Sequence, residues 1–221
     1  MQDPRSDFFG TTFTGIRPGL GVVALTFDDG PNGADTQSVL DVLKEEDVRA
    51  TFFVVGKAVA RYPALLQRMV RDGHGIGNHS WSHAHLNVRT RAGIRRELER
   101  AEDAILAATG ERTRLARPPF GARSFTVLDE LRRLGYTCVL WSVPLAREWC
   151  ELSGAAIAVR LLEHTADGAV LALHDGSRGR SGARAHIARA TRDVIAGCRK
   201  RGLRFVTIAE MLALSAAGET G

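Results

Sequence analysis

Two adjacent aspartates, Asp28 and Asp29, stand between an apolar run and a Gly-Pro turn. Neighbouring carboxylates repel one another, and burying both is costly unless a positive charge compensates them. A divalent cation can do so, because one carboxylate binds it while the other remains available for proton transfer. The acidic first turn of a helix would also account for the pair, so the two aspartates alone leave both interpretations open.

Two histidines spaced four residues apart, His79 and His83, supply further ligands for such a cation. We expect them on one helical turn, where side chains at this spacing face the same way and can share a metal. Two neutral imidazoles and one carboxylate form a metal site with open positions, and Asp29 is the expected third ligand. A pair of surface histidines is the alternative, and the nearby aspartates favour the metal site over it.

Arg117 and His174 also occupy positions that suit chemistry. Arg117 precedes two prolines that fix the backbone, and its guanidinium could hold Asp28 ionised and oriented. His174 follows an apolar run, and histidine, which titrates near neutrality, suits a general acid. A surface arginine and a polar strand terminus are the alternatives for these two positions. We interpret the remaining histidines as having no chemical role: His74, His85, His164 and His186.

Short apolar runs alternate with longer amphipathic segments along the whole chain. We predict strands at 21–27, 49–55, 75–79, 115–120, 136–143, 169–174 and 204–208. We predict helices at 33–46, 57–72, 90–109, 124–134, 154–165 and 183–201, with a short helix at the end. This strict alternation predicts an α/β fold with parallel strands, namely a single-domain, distorted (β/α)7–8 TIM-like barrel. The candidate residues follow strand ends, which places them on the barrel rim where active sites lie.

Composition excludes several classes of function. The chain has 221 residues, 44% of them hydrophobic, a net charge of +5 and a pI of about 9.6. No run of eighteen apolar residues predicts a membrane span, and no basic run with interleaved aromatics predicts nucleic-acid binding. Residues 1–17 lack the apolar core of a signal peptide. We therefore expect a cytoplasmic protein if the start is native, and a secreted or cell-wall protein if an export signal has been removed; the oligomeric state stays open.

From about Val22 to Leu212 the chain resembles the polysaccharide deacetylases of carbohydrate esterase family 4, which contain the NodB homology domain. The resemblance rests on four motifs in the family's order, and these are Thr26–Pro31, His79–His83, Arg117–Gly121 and Leu171–His174. It implies a catalytic domain at 21–214, an N-terminal extension at 1–20 and a C-terminal tail at 215–221. It also implies metal-dependent hydrolysis of an acetamide or an acetate ester on a sugar.

The resemblance assigns a role to each motif residue. Asp28 resembles the general base and His174 the general acid. Asp29 resembles the metal ligand that acts with His79 and His83, with Zn²⁺ as the expected ion and Co²⁺ or Ni²⁺ suited to the same ligands. Arg117 resembles the residue that holds the base, and the Phe120 N–H resembles the oxyanion donor. The residues expected to bind substrate are Pro119, Phe120, Trp149 and Ala172.

Two departures from the family pattern bear on these roles. Pro144 stands where the family usually has an aspartate, and Glu148-Trp149 resembles the family's Asp-Trp pair with one residue inserted. Glu148 is therefore our candidate for the partner that tunes His174. Ala172 stands where the family often has a leucine that lines the acetyl pocket, and the smaller side chain predicts a wider acyl pocket.

These observations predict an N-deacetylase that acts on an N-acetylated amino sugar, such as a chitooligosaccharide, peptidoglycan or a related glycan. An O-acetyl esterase acting on xylan is the closest alternative. A deacylase or amidase on a small biosynthetic intermediate is another. A carbohydrate-binding pseudoenzyme is more distant, because binding alone requires neither a base nor an acid.

Overall fold

The computed structural model describes residues 8–143, 153–176 and 185–218. Its strands are β1 (Val22–Asp28), β2 (Thr51–Val54), β3 (Gly75–Asn78), β4 (Leu115–Ala116), β5 (Thr137–Cys138), β6 (Val170–His174) and β7 (Arg204–Phe205). Its helices are α1 (Gly33–Glu45), α2 (Gly56–Arg61), α3 (Pro63–Arg71), α4 (Arg91–Thr109), α5 (Phe125–Arg133), α6 (Gly154–His164), α7 (Ala185–Lys200) and α8 (Ile208–Gly218). Within these ranges no helix combines the length and apolar character needed to cross a membrane.

The strands form one curled parallel sheet in the order β5-β4-β3-β2-β1-β6, and β7 pairs with the start of β1. The N-terminal segment lies between the two edges of this sheet. Phe13 N donates to Cys138 O at 2.8 Å, and Ile16 N donates to Gly168 O at 3.0 Å. The predicted TIM-like α/β barrel is therefore confirmed.

The central strand β1 is buried along its whole length, and its side chains alternate between two faces. Val23, Leu25 and Phe27 belong to the large apolar core that includes residues of the outer helices. Val22 and Ala24 belong to a second core, and Thr26 and Asp28 continue the same alternation. The last inward residue of β1 is thus a carboxylate at the C-terminal end of the strand.

Several predicted element bounds are wrong, two of them because of proline. The predicted strand 115–120 contains only Leu115–Ala116, since Pro118 and Pro119 have no N–H to donate to a neighbouring strand. The predicted helix 57–72 is two helices, and Pro63 begins the second at a position where its missing N–H costs little. The strands predicted at 136–143 and 204–208 are two residues long, and α8 continues past Leu214 into the predicted tail.

His74 lies at the start of β3, at the opposite end of the barrel from the predicted site, and is 7% exposed. Its Nδ1 accepts a hydrogen bond from Ala50 N at 3.2 Å, which requires a neutral ring nitrogen. Burial, opposed by Asp72 and assisted by Arg68, lowers the pKa of His74 to about 4.

We therefore expect His74 to contribute to acid unfolding. Between pH 6.5 and about 4 the unfolded chain binds a proton at His74 that the folded chain does not, so stability falls as the pH falls. The free energy of unfolding should decrease by up to about 3 kcal/mol more in the wild type than in a His74→Asn variant, whose amide oxygen can replace Nδ1 as acceptor. Urea unfolding at a series of pH values measures this difference, and parallel pH profiles for the two proteins would contradict it.

Candidate metal centre and active site

Asp28 and Arg117 form an ion pair inside the barrel. Arg117 Nη1 lies 2.6 Å from Asp28 Oδ1 and 2.8 Å from Thr26 Oγ1, and the arginine is 1% exposed. The guanidinium also donates to the carbonyls of Val139 and Leu140, each at 3.2 Å. All of these contacts fix the orientation of the Asp28 carboxylate.

The guanidinium of Arg117 also packs against aromatic rings. Its central carbon lies 4.0 Å from the centre of the Phe53 ring and 5.8 Å from that of the Trp141 ring. Burial lowers the pKa of Arg117, and the attraction of Asp28 opposes this effect. The ion pair is thus enclosed by apolar rings, where a lost partner would not be replaced by water.

Asp29 directs its carboxylate to a different place from Asp28. Its φ of 75° is left-handed, which turns the chain immediately after β1. His83 Nε2 lies 3.0 Å and His79 Nε2 lies 3.5 Å from Asp29 Oδ1. The structure therefore separates the two aspartates, one beside an arginine and the other beside two imidazoles.

The segment that carries the two histidines is not helical, which corrects the expected helical turn. His79 follows β3 directly, and the chain continues through a bend with left-handed backbone at Ser80 and His83, where φ is 66° and 56°. The two imidazole rings nevertheless lie 5.0 Å apart, centre to centre. The two residues that the spacing paired do lie together, but not on a helix, because a loop can bring i and i+4 together as well as a helix can.

Asp29, His79 and His83 have the donor set and geometry of a divalent metal site. One ligand atom from each lies within 4.8 Å of the others, and within the described ranges no other such group of three occurs. Asp29 Oδ1 is buried and makes no well-formed hydrogen bond. His79 Nδ1 lies 2.6 Å from the carbonyl oxygen of Arg117, which can only accept, so Nδ1 carries the proton and Nε2 keeps its lone pair for a metal.

The charge of Asp29 also suits a cation. Burial raises the pKa of Asp29, but His79, His83 and His174 more than reverse this effect and hold that pKa well below its ordinary value. The carboxylate is therefore ionised at neutral pH, as a metal ligand must be.

Phe120 and His174 complete the rim around this centre. Phe120 has a left-handed φ of 62°, and its ring centre lies 4.6 Å from that of His83. His174 ends β6 and pairs in register with Asp28. Ala172, two residues earlier on the same face, is buried and clusters with Leu140 and Trp141.

The similarity of this chain to known proteins shows its family. Residues 16–139, more than half of the chain, match the family model described as polysaccharide deacetylase. The chain belongs to the polysaccharide deacetylase family.

Two curated relatives illustrate how far this membership extends. The chain is 40% identical over 163 residues to a chitooligosaccharide deacetylase of Sinorhizobium fredii, covering 72% of this chain and 75% of the relative. It is 32% identical to the peptidoglycan-N-acetylglucosamine deacetylase PgdA of Listeria monocytogenes, over 86% of this chain. This chain spans only 38% of the length of that second relative.

Solved structures show the same fold. The Bc1960 peptidoglycan N-acetylglucosamine deacetylase matches with a TM-score of 0.85 and 30% identity, covering 90% of this chain and 92% of that one. A pseudoenzyme of the CE4 family from Bacillus anthracis matches with a TM-score of 0.82 at 23% identity over 91% of this chain and 69% of that one, a likeness that shows the fold alone. Membership of the polysaccharide deacetylase family therefore leaves the roles of individual residues to be argued from the site.

Two residues of this site were not expected from the sequence. Asp175, directly after His174, is fully buried, and its Oδ2 accepts a hydrogen bond from Thr36 Oγ1 at 2.5 Å. Burial, together with Asp29 and Asp28, raises the pKa of Asp175 to about 7, although the Thr36 bond opposes this. Its position after a strand-end histidine was the only available signal.

His85 is the second unexpected residue, because the sequence analysis assigned it no chemical role. Its ring stacks on that of Phe120 with centres 3.7 Å apart and planes 7° apart. Phe120 thus lies between His85 and the candidate ligand His83. Nothing in its immediate sequence distinguishes His85 from an ordinary surface histidine.

Three predicted residues remain to be placed. Pro119 is buried in the short 3₁₀ turn that contains Phe120. Glu148 and Trp149 lie outside the described residues, as does Pro144. Glu148 as the partner of His174, and Trp149 as a substrate contact, therefore stay predictions.

Proposed function

We propose that this chain is a metal-dependent N-deacetylase that acts on an N-acetylated amino sugar in a glycan. The observation that carries the proposal is the separation of two adjacent carboxylates. Asp29 faces two imidazole nitrogens at 3.0 and 3.5 Å, while Asp28 lies 2.6 Å from the Arg117 guanidinium. One acid is thus placed to bind a cation and the other to accept a proton.

Asp29, His79 and His83 would hold the metal, with zinc as our first candidate. When bound there, such an ion supplies Lewis-acid chemistry, in that it lowers the pKa of a water ligand and polarises a carbonyl oxygen. Cobalt and nickel accept the same ligands, so the donor set favours a class of ion more than a single one.

The chain's own residues then divide the proton transfers and charge stabilisation. Asp28, oriented by Arg117, accepts a proton from the attacking water as the new C–O bond forms. The Phe120 N–H, in the turn beside His83, donates to the oxyanion that develops on the carbonyl oxygen. His174 donates a proton to the amine as the C–N bond breaks, so the products are acetate and a free amino sugar.

The substrate class is supported by the similar proteins, whose names refer to peptidoglycan N-acetylglucosamine and to chitooligosaccharides. A xylan O-acetyl esterase or a small-molecule deacylase would use the same residues on a different bond. A carbohydrate-binding pseudoenzyme would have no need for Asp28 to be held beside Arg117.

A panel of acetylated substrates tests the proposal. Purified protein, treated with a chelator and then resupplied with zinc, is incubated with chitooligosaccharides, peptidoglycan, acetylxylan and small N-acyl amino sugars, and released acid is measured. We expect zinc-dependent acetate release from an N-acetylated glycan. Release from acetylxylan alone, or from small amino sugars alone, would replace the proposal with one of the two alternatives, and no release from any substrate would favour the pseudoenzyme.

The same panel tests the size of the acyl pocket. Ala172 is smaller than the leucine that the family often has at this position. We therefore predict that N-butyryl amino sugars are hydrolysed at a measurable rate, as well as N-acetyl amino sugars. An Ala172→Leu variant should lose the butyryl activity while retaining more of the acetyl activity. Strict selectivity for acetyl in the wild type would contradict the wider pocket.

A further inference from the structure

The loop between the two histidine ligands holds a conformation that its own residues do not favour. Ser80 and His83 both have left-handed backbone, which costs a non-glycine residue on the order of 1 kcal/mol or more. Such a conformation persists only where neighbouring groups hold it in place. The hydrogen bonds around this loop therefore bear on the metal ligands.

The first half of the loop is held from two elements. Asn78, at the end of β3, accepts a hydrogen bond from Ser80 N at 2.9 Å through its side-chain oxygen. Gly56 N and Lys57 N at the start of α2 donate to the carbonyls of Ser80 and Trp81, each at 3.0 Å. These bonds fix the backbone that follows His79.

The second half of the loop is held by one side chain of α4. Ser82 N donates to Glu97 Oε2 at 2.9 Å, and Ser82 Oγ donates to Glu97 Oε1 at 2.8 Å. Both carboxylate oxygens are thus used on the residue that immediately precedes His83. Because Ile94 and Leu98 bury the adjoining face of α4, the helix that carries Glu97 is itself fixed against the core.

We infer that Glu97 is a positioning residue for the metal centre, an inference that rests on the proposed metal-dependent function. By holding the amide and the hydroxyl of Ser82, Glu97 keeps His83 in its left-handed conformation, with Nε2 facing Asp29. Glu97 touches neither the reacting atoms nor the metal ligands' donor atoms, so it acts through Ser82. Partners of this kind typically change metal affinity by about 10–100-fold when they are removed.

An ordinary surface role for Glu97 is the competing explanation. Glu97 also lines an open surface cavity of about 440 Å³, together with Trp81, Arg89, Arg96 and Arg100. A carboxylate in this setting could serve only to balance the arginines. Glu99 lines the same cavity from the same helix, but within the described part of the chain it forms no hydrogen bond to this loop, which makes it the matched control.

Zinc affinity, measured by competition with a chromophoric chelator, separates the two explanations. We expect Glu97→Ala to weaken zinc binding by about 10–100-fold, whereas Glu99→Ala, which removes the same charge from the same helix, should leave it unchanged. Glu97→Gln keeps an acceptor for Ser82 N and offers its amide group to Ser82 Oγ, so it should bind zinc nearly as tightly as the wild type. Equal affinities for Glu97→Ala and Glu99→Ala would overturn the inference.

A second readout covers a Glu97→Ala variant that folds poorly. The Ser82→Ala variant loses only the hydrogen bond of the hydroxyl to Glu97. We expect it to bind zinc more weakly than the wild type, by less than the about 10–100-fold expected for Glu97→Ala. The melting temperature of its metal-free form should be nearly that of the metal-free wild type. A zinc affinity in Ser82→Ala that equals the wild-type value would overturn the inference even if Glu97→Ala does not fold. If Glu97→Ala does fold, wild-type hydrogen exchange at its Ser82 amide would overturn the inference as well. A wild-type protein that binds zinc but releases no acetate would contradict the proposed function alone.

Discussion

Replacing Asp28 with asparagine should lower kcat for deacetylation by roughly 10²–10⁴-fold while leaving zinc bound. The amide oxygen of asparagine can still accept the hydrogen bond that Arg117 Nη1 makes to Asp28 Oδ1 at 2.6 Å, so the local geometry is retained. The amide cannot accept the proton of the attacking water. Initial rates of acetate release, with zinc content determined on the same samples, measure both halves of the prediction.

The control for this change is the same substitution at Asp47. Asp47 is exposed and lies between α1 and β2, at the end of the barrel away from the site, and its φ of 48° suits asparagine as well as aspartate. Asp47→Asn should therefore have wild-type activity. An Asp28→Asn variant that retains more than about a tenth of the wild-type kcat would remove Asp28 from the role of general base.

Replacing Arg117 with methionine should be among the most destabilising single changes in this chain. It removes the donor to Thr26, Asp28 and two backbone carbonyls, and it leaves a carboxylate that is 3% exposed without its cationic partner. Breaking a buried ion pair in this way typically costs about 3–5 kcal/mol. Urea unfolding at pH 7 measures the loss.

A double variant shows whether this loss comes from the pair. In Asp28→Asn with Arg117→Met neither charge is left alone, so the combined loss of stability should be smaller than the sum of the two single losses by about 0.5–3 kcal/mol. Arg100→Met is the control for the loss of an arginine that has no buried ionic partner. The Arg100 guanidinium stacks on the Trp81 ring at 3.9 Å on the outside of the barrel. Such stacking contributes about 0.5–1 kcal/mol at an exposed site, so the control should lose no more stability than that. Additive losses at 28 and 117 would indicate that Arg117 stabilises the barrel independently of Asp28.

The architecture and the location of the site could both be predicted from the pattern of apolar runs in the sequence. Alternating apolar runs determine which strand faces are buried, and parallel strands bring all their C-terminal ends to one rim. The proximity of Asp28, His79 and His174 could therefore be predicted without any knowledge of their side-chain contacts. The bounds of β4 were less predictable, because apolar residues continue to Phe120 on both sides of Arg117 while the prolines stop the pairing.

The contacts that give each residue its chemistry could not be predicted in this way. The left-handed turn at Asp29 has no signal in the local sequence, because this backbone conformation is uncommon for residues other than glycine. The same holds for the bond from His79 Nδ1 to the Arg117 carbonyl, which joins residues 38 positions apart. Glu97 had no local signal, and the position of Asp175 after a strand-end histidine was a weak one, since an acidic residue on a helix surface or after a strand is common in any sequence.

Zinc titration of chelator-treated protein tests the central claim most directly, because it asks whether Asp29, His79 and His83 bind a cation that Asp28 does not. We predict one zinc ion per chain for the wild type and for Asp28→Asn, and greatly weakened binding for Asp29→Ala, His79→Ala and His83→Ala, each checked for folding by circular dichroism. A folded wild-type chain that binds no zinc, or binding that survives the loss of His83 but not of the Asp28 carboxylate, would contradict the account.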